Sequence, residues 1–427
     1  MSIFLSKLAI KLSRLTGRKG TNIGGKIALK FNKHILKKLV TNIDNIILVT
    51  GTNGKSTTTN IIARCLISAN KKVVSNIDGA NMYTGIVSTL IDHYKKNNHY
   101  DYAIFEVDEG SVSQVLNDIN KCSLVITNFF RDQLDRYAEI DMIIDKVKEG
   151  IELKKDNILL YLNVDDPFCM RLRDYPFIGY GLSDKIDIFK EGTISDSRYC
   201  AICGRPLQYS KVFYGQLGYY TCECGFNRPE PKYLLSNVSN DAVKINNVIY
   251  KHHIMGSYNI YNILAAISVL KEHHIEDNVI ENVLVNFKTI DGRMQLLNIN
   301  NKKVVLNLVK NHAGMNLTLQ EVTYLKPDNI CFLLNDYTAD GKDVSWIWDA
   351  DFEYLLNLKT KKYYISGTRC YDMALRLKNM GIDASKIIVN PKFETLVDLV
   401  VSDNAFVIAS YTALWNAKKI LEAKEVK

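Results

Sequence analysis

Short apolar runs, separated by longer stretches in which apolar and polar positions recur with helical spacing, fill most of this 427-residue sequence. Between Asn45 and Leu182 the runs are 46–50, 73–75, 102–107, 124–127 and 158–163, each of a length and composition that suits a strand buried on both faces. Helical periodicity occupies the gaps. Strands that alternate with helices build parallel sheets, because a parallel neighbour is reached only by a crossover. Helical patterns at 259–271 and 281–287 complete this first domain before Asp291 and Arg293. From Lys302 a second alternation begins, with strands expected at 304–308, 330–334, 363–366, 387–389 and 406–409. Its size, about 125 residues, is that of one Rossmann-like domain. The expected organisation is a basic amphipathic segment (1–40), an α/β domain (41–295) interrupted at about 196–232 by turn residues and cysteines, and a second α/β domain (300–427).

Composition narrows the class. Hydrophobic residues make up 47% and charged residues 23%, as in ordinary globular proteins, and no apolar run is long enough to span a bilayer. The net charge of +8 is unevenly placed: Lys7, Lys11, Arg14, Arg18, Lys19, Lys26, Lys30, Lys33, Lys37 and Lys38 precede residue 41 with no acid among them, which leaves the rest slightly acidic. Interleaved with Ile3, Phe4, Leu5, Leu8, Leu12 and Leu15, these cations suit an anionic membrane surface or a pyrophosphate-bearing lipid, and equally a solvated amphipathic helix packed on the domain behind it. The charges continue through the apolar residues and no small-residue cleavage site follows, which argues against a signal peptide. The expected location is cytoplasmic, peripheral at the inner face of the membrane if the cationic face binds there.

Of nine cysteines, Cys65, Cys122, Cys169, Cys331 and Cys370 are scattered singly and read as buried thiols of a reducing compartment. The other four form two pairs, Cys200-x-x-Cys203 and Cys222-x-Cys224, separated by eighteen residues and followed by Gly204 and Gly225. Two tight turns joined by a short hairpin present four thiolates to a tetrahedral Zn²⁺; with every position filled by sulfur, such a site is structural. A disulfide or redox pair is the competing reading. Zinc ribbons also bind nucleic acid, but this insertion lacks a dense basic-aromatic patch, and no nucleic-acid partner is expected.

The run Ile46-Ile47-Leu48-Val49-Thr50-Gly51-Thr52-Asn53-Gly54-Lys55-Ser56-Thr57-Thr58-Thr59 is a strand, a glycine loop and a helix that opens with hydroxyl residues. That is the context of a phosphate cradle. Gly51 and Gly54 permit close backbone approach, the helix N-terminus holds phosphate oxygens, Lys55 neutralises charge and Ser56 can ligate Mg²⁺.

Gly51-x-x-Gly54-Lys55-Ser56 is two residues shorter than the usual Walker loop, and in this it resembles the Mur ligases and folylpolyglutamate synthases, which form amide bonds through an acyl phosphate. Other residues extend the resemblance. Glu106 matches the family's Mg²⁺-binding glutamate, with Glu109 as a second contact. Asn259 and Asn262 match the helix that reads adenine, and Arg293 matches an arginine that reaches ATP. Thr127-Asn128 and Asn163-Val164-Asp165-Asp166-Pro167 are further signatures, all in family order. The implied ATP-binding set is Gly51, Thr52, Asn53, Gly54, Lys55, Ser56, Thr57, Asn259, Asn262 and Arg293, with Mg²⁺ on Ser56, Glu106 and Glu109. The implied fold is α/β: a Mur-ligase-type P-loop central domain with a parallel sheet and an inserted four-cysteine zinc ribbon, plus a C-terminal Rossmann-like domain.

Departures narrow the resemblance. The phosphate-loop strand begins near residue 45, which leaves no room for the family's nucleotide-sugar domain. An expected Asp-His pair is Asp132-Gln133, and an expected Asp-Tyr-Ala-His-Asn-Pro signature is Asn307-Leu308-Val309-Lys310-Asn311-His312, with Lys310 where histidine is usual. Together with the four-cysteine insertion and the segment from Asn335 to Asp349, these features resemble the amidating MurT branch of the family. That resemblance implies a heterodimer with a GatD-like class I glutamine amidotransferase that supplies ammonia. It further implies lipid II as substrate, ATP and Mg²⁺ as cofactors besides structural Zn²⁺, and catalytic roles for Lys55, Lys310 and Asp349. Asp349 matches an acid thought to complete the partner's triad; by local sequence alone it reads as a helix N-cap or surface acid. The rival readings are a Mur-like amino-acid ligase, a non-catalytic ATP-binding scaffold for the glutaminase, and, more remotely, a zinc-ribbon nucleic-acid ATPase.

Overall fold

The computed structural model describes residues 2–16, 20–77, 80–95, 98–131, 140–189, 197–287 and 292–425. Arg18, Lys19, Asp291 and the stretch from Asp132 to Arg136, with Gln133, lie outside the described residues. The chain divides into two compact units: one takes residues up to 130, 140–254 and 259–287, and the other takes Arg131, 255–258 and the chain from 292 onward.

In the first unit α1 (Ser2–Leu15), α2 (Ile23–Phe31) and α3 (Ile35–Leu39) precede β1 (Ile43–Thr50). There follow α4 (Lys55–Ser68), β2 (Val73–Ser75), α5 (Tyr83–His93), β3 (Tyr100–Glu106), α6 (Val112–Asp118), β4 (Cys122–Ile126), α7 (Ile140–Glu152), β5 (Ile158–Asn163) and β6 (Phe177–Leu182). A separate hairpin, β7 (Gln208–Tyr214) and β8 (Leu217–Thr221), belongs to the cysteine-bearing insertion. The chain then returns through β9 (Tyr233–Val238), β10 (Ala242–Ile245), β11 (Val248–Lys251), α8 (Asn259–Glu272) and α9 (Asp277–Val285). Among the described residues the main sheet runs β11-β10-β9-β6-β5-β4-β1-β3-β2, parallel from β2 to β9 and antiparallel at the β9–β10–β11 edge. Ile47, Leu48, Ile104, Phe105, Leu124, Val125, Leu160 and Leu162 are wholly or almost wholly buried, as continuous apolar runs covered on both faces should be.

The strand order reverses at β1, whose neighbours are β3 on one side and β4 on the other. Ligands of open parallel sheets bind beyond the strand carboxyl ends at such a switch point. The register brings those ends level: Val49 pairs with Glu106, Thr50 with Ile126 and Ile126 with Leu162.

The second unit holds β12 (Gln295–Ile299), β13 (Lys302–Leu308), α10 (His312–Leu325), β14 (Asn329–Leu333), β15 (Lys362–Ser366), α11 (Cys370–Met380), β16 (Ile387–Val389), α12 (Val397–Val400), β17 (Ala405–Ala409) and α13 (Tyr411–Glu422). Its sheet runs β12-β13-β17-β14-β15-β16, parallel except for β12. Two expectations need correction. The helix expected at 281–287 begins a turn earlier, at Asp277, because Ile280 as well as Leu284 packs inward. Strand β3 starts at Tyr100 and ends on Glu106, so that Val107 lies beyond it.

Candidate active site

Gly51 and Gly54 adopt φ of +119° and +89°, a region closed to most side chains. Space forbids one as well. A Cβ on Gly51 would stand 2.3 Å from Thr127 Oγ1, and one on Gly54 would stand 2.1 Å from Asn262 Oδ1. The loop is thus moulded against two of the other motifs. Thr127 Oγ1 donates to the Asn53 carbonyl (2.6 Å), Asn128 Oδ1 accepts from Asn53 N–H (3.0 Å), and the Asn128 carbonyl accepts from Thr52 N–H (2.9 Å). Thr52 Oγ1 accepts from Phe130 N–H at 3.0 Å. The Thr-Asn signature is therefore the backing of the phosphate loop. Asn262, which fills the space over Gly54, is held in α8 by Asn259 at 2.7 Å.

Lys55 opens α4 and is only 8% exposed. Its ammonium folds back on the Gly51 carbonyl and the Thr52 carbonyl (3.3 Å) and pairs with Glu109 at 3.3 Å, itself 6% exposed. Glu109 thus neutralises Lys55, a role the sequence did not suggest for it. Glu106 is positioned by two residues that sequence reasoning missed. Asn76 exchanges hydrogen bonds with the Glu106 backbone (both 2.9 Å), while Asn81 donates to its carboxylate at 2.9 Å. The glycine loop, the buried side-chain amide nitrogen of Asn53 with no hydrogen-bond partner among the described residues, and an oriented carboxylate at the end of β3 fit Mg-nucleotide chemistry.

The Asn163-Val164-Asp165-Asp166 signature ties this layer to the insertion. Asp166 accepts from Phe129 N–H (2.8 Å) and Phe168 N–H (3.0 Å), and burial pushes its carboxyl up to about 6 against those hydrogen bonds. Gln216, at the tip of the β7–β8 hairpin and fully buried, donates to the Phe129 carbonyl at 2.6 Å, and Tyr214 stacks on Phe130 with centroids 5.7 Å apart. Burial also raises Asp165, an effect opposed by its 2.7 Å ion pair with Arg228 and its hydrogen bonds from Leu182 N–H and Tyr261. Tyr261 lies in α8 between Asn259 and Asn262. The insertion is therefore packed against both the backing of the phosphate loop and the helix matched to adenine binding.

The four cysteine sulfurs lie within 4.8 Å of one another, with Cys200–Cys224, Cys203–Cys222 and Cys222–Cys224 at 3.5–3.6 Å. A tetrahedron with metal–sulfur bonds of ~2.3 Å has edges of about 3.8 Å. A disulfide would need about 2.05 Å. The geometry fits a metal and not a bond. Burial opposes ionisation of Cys200, but N–H donors from Cys203 and Ile202 and the thiols of Cys224 and Cys222 outweigh it and bring that thiol down to about 7. The five single cysteines are buried.

In the second unit, Arg293 precedes Met294, whose N–H donates to Asn307 Oδ1 at 3.0 Å; Asn307 donates in turn to Thr318 Oγ1 at 2.9 Å. Asn307, one of the departures from the family signature, therefore pins the backbone beside Arg293. Lys310 lies between the end of β13 and the Asn311 cap of α10, whose side chain accepts from Gly314 N–H at 2.8 Å. Asp349 follows a 3-10 turn, Ser345–Trp348, as its C-cap, so the N-cap alternative does not hold. Buried Arg376 donates to the Ile347 carbonyl (3.2 Å) and the Ala350 carbonyl (3.0 Å), fixing the backbone on either side of Asp349. The Asp349 carboxylate remains half exposed and is paired with Arg131 at 2.9 Å. Arg131 is a contact that no local pattern announces.

The family described as Mur ligase middle domain matches residues 49–270, and the one described as MurT ligase C-terminal matches 308–414. The chain is 40% identical over 393 residues to a Staphylococcus aureus protein named lipid II isoglutaminyl synthase (glutamine-hydrolyzing) subunit MurT, covering 91% of this chain and 89% of that one. It is 32% identical over 438 residues to the Streptococcus pneumoniae protein of the same name, covering 97% and 95%. A pseudomurein peptide ligase type C from Methanothermus fervidus shares the fold, with a TM-score of 0.70 and 22% identity over 91% of this chain and 80% of that one. On these matches the chain belongs to the MurT family of Mur ligases.

Proposed function

We propose that this chain is the ATP-activating subunit of a lipid II isoglutaminyl synthase, a carbon–nitrogen ligase of peptidoglycan synthesis. It converts the free α-carboxylate of the stem-peptide D-glutamate into the carboxamide of D-isoglutamine. The observation that carries this is the phosphate loop held between Thr127-Asn128 and Asn262 in a chain similar over nine-tenths of its length to MurT proteins.

In this reading the loop amides and Lys55 take the ATP phosphates, Lys55 exchanging its Gly51, Thr52 and Glu109 partners for phosphate oxygens. Mg²⁺ held by Ser56 and Glu106 would offset phosphate charge. The substrate carboxylate attacks the γ-phosphorus, ADP leaves, and ammonia then attacks the acyl carbon of the acyl phosphate, expelling phosphate. Positioning and charge stabilisation by Lys55, Arg293 and Lys310 supply most of the rate, as is general for phosphoryl transfer. Ammonia comes from a GatD-like glutaminase, whose Cys-His pair Asp349 completes. Zn²⁺ on Cys200, Cys203, Cys222 and Cys224 is structural. No helix among the described residues is long and apolar enough to cross a membrane, and residues 1–40 bring the chain to the bilayer surface where lipid II resides.

The test is to incubate the purified chain with Mg-ATP, a lipid II analogue and ammonium chloride, following ADP and the carboxylate-to-carboxamide mass change. Amidation that Lys55→Ala lowers by roughly a thousandfold is expected. Substrate-dependent ADP release excludes the non-catalytic scaffold; if neither ADP nor carboxamide forms even with the glutaminase added, the ligase reading fails and the scaffold reading takes its place.

A further inference from the structure

The first helix is oriented opposite to an ordinary amphipathic helix. Its inward side is Ser6 and Ile10, both buried, and Ile10 packs on Gly24 of α2, where an added Cβ would stand 2.5 Å from Ile10 Cδ1. Arg14 holds the C-terminal end to α5 through a two-pronged contact with Asp92 at 2.6 and 3.2 Å, and Lys7 donates to the Tyr94 carbonyl. With the helix so fixed, five of its large apolar residues face outward. Phe4 is 70% exposed and Leu15 83%, and Leu5, Leu8 and Leu12 are exposed with them. At 3.6 residues per turn these five positions fall within an arc of about 100°, so they form one stripe and not scattered contacts. Phe31 and Ile23 of α2 are also exposed.

Charge identifies what covers the stripe. Lys11 in α1, Lys26 and Lys30 in α2, and Lys33, Lys37 and Lys38 beyond it are exposed, and no acid occurs before Asp44. A second copy would bring these cations against themselves. An anionic lipid surface offers negative headgroups to the lysines and acyl chains to the leucines, the pairing that places amphipathic helices in the interfacial plane. We infer that α1 lies in the headgroup layer of an anionic bilayer, with Phe4, Leu8, Leu12 and Leu15 inserted and the lysines of α1–α3 on the phosphates. This deepens the proposed function, resting on it only for why an enzyme of a lipid-borne substrate should dock there.

The full chain, alone and with its glutaminase, is sedimented with vesicles of phosphatidylglycerol and phosphatidylcholine and of phosphatidylcholine alone. Binding to the anionic vesicles, weakened by salt and reduced on the order of tenfold or more by Leu8→Ser with Leu12→Ser, supports the inference. Lys30→Glu with Lys37→Glu should weaken it several-fold. Equal binding of wild type and both variants overturns it, as does no binding at all. Loss of a homodimer or of glutaminase co-elution in the leucine variant, with vesicle binding unchanged, assigns the stripe to a protein and overturns it as well. Ammonia-driven amidation of a water-soluble lipid II fragment is run in parallel: both variants should retain it, and its absence in wild type counts against the ligase reading and leaves the vesicle result to stand alone.

Discussion

Gln216 donates to the backbone carbonyl of Phe129, just beyond the Thr127 whose hydroxyl supports the phosphate loop. Truncation to alanine removes a buried donor and leaves the Phe129 carbonyl without it, a loss of roughly 1–3 kcal/mol. The expected result is a Michaelis constant for ATP raised several-fold with a smaller change in kcat, because Gln216 acts on the loop and not on the reacting atoms. Gln216→Glu should be worse, since a carboxylate would face both that carbonyl and Asp166. A kcat collapse at unchanged ATP affinity would contradict this. Asp166 gives a pH prediction. Its folded pKa of about 6 exceeds the ~4 of an unfolded aspartate, so between these values the folded state binds a proton the unfolded state lacks. This group therefore adds stability as pH falls from about 7 towards 4, on the order of 3 kcal/mol in all, with Asp165 acting in the same direction. Asp166→Asn should flatten that part of the Tm-against-pH curve, whatever its effect on absolute stability.

At the level of elements the cysteine insertion is a brace, and a metal on its four thiolates would make a short hairpin rigid enough to serve as one. Cys203→Ser should lower bound zinc from one equivalent, measured by elemental analysis, and reduce Tm. It should also raise the ATP Michaelis constant in the direction of Gln216→Ala, because the same hairpin loses its anchor. Unchanged nucleotide affinity in a zinc-depleted, folded variant would detach the brace from the site. The parallel strands of both units were legible because burial on two faces writes itself as continuous apolar runs. Strands β6 and β9 were not: in β6, Gly179 and Gly181 weaken the pattern, yet Cβ atoms there would stand 2.7 Å from Val164 and 2.6 Å from Asp165. Those glycines exist to let β6 lie against the end of β5. The phosphate loop was legible because its chemistry is local. Asn81, Gln216 and Arg131 act across separations of 25, 87 and 218 residues, and nothing in their neighbourhoods marks them.

For the whole molecule, the two chemical tasks separate on named side chains. In the proposed function Lys55 belongs to ATP use and should be needed whatever the nitrogen source. Asp349 is held on a backbone clamped by Arg376 at Ile347 and Ala350, with its carboxylate half exposed and paired with Arg131. An acid so presented suits a partner's histidine, whose charge it would stabilise and whose tautomer it would fix. Asp349→Asn keeps size and shape and removes the charge. In the complex with the glutaminase it should cut glutamine-driven amidation by on the order of a hundredfold or more. Ammonium-driven amidation, ATP affinity and co-elution with the partner should stay near wild type. Arg131→Ala frees the carboxylate from its ion pair and should affect the glutamine-driven rate alone, more mildly. If Asp349→Asn instead lowers both rates equally, the residue belongs to the synthetase chemistry or to the integrity of its own loop, and the partner's triad must be completed from elsewhere. Measuring both nitrogen sources on one preparation makes that distinction, since a misfolded variant loses both activities together and a triad variant loses only one.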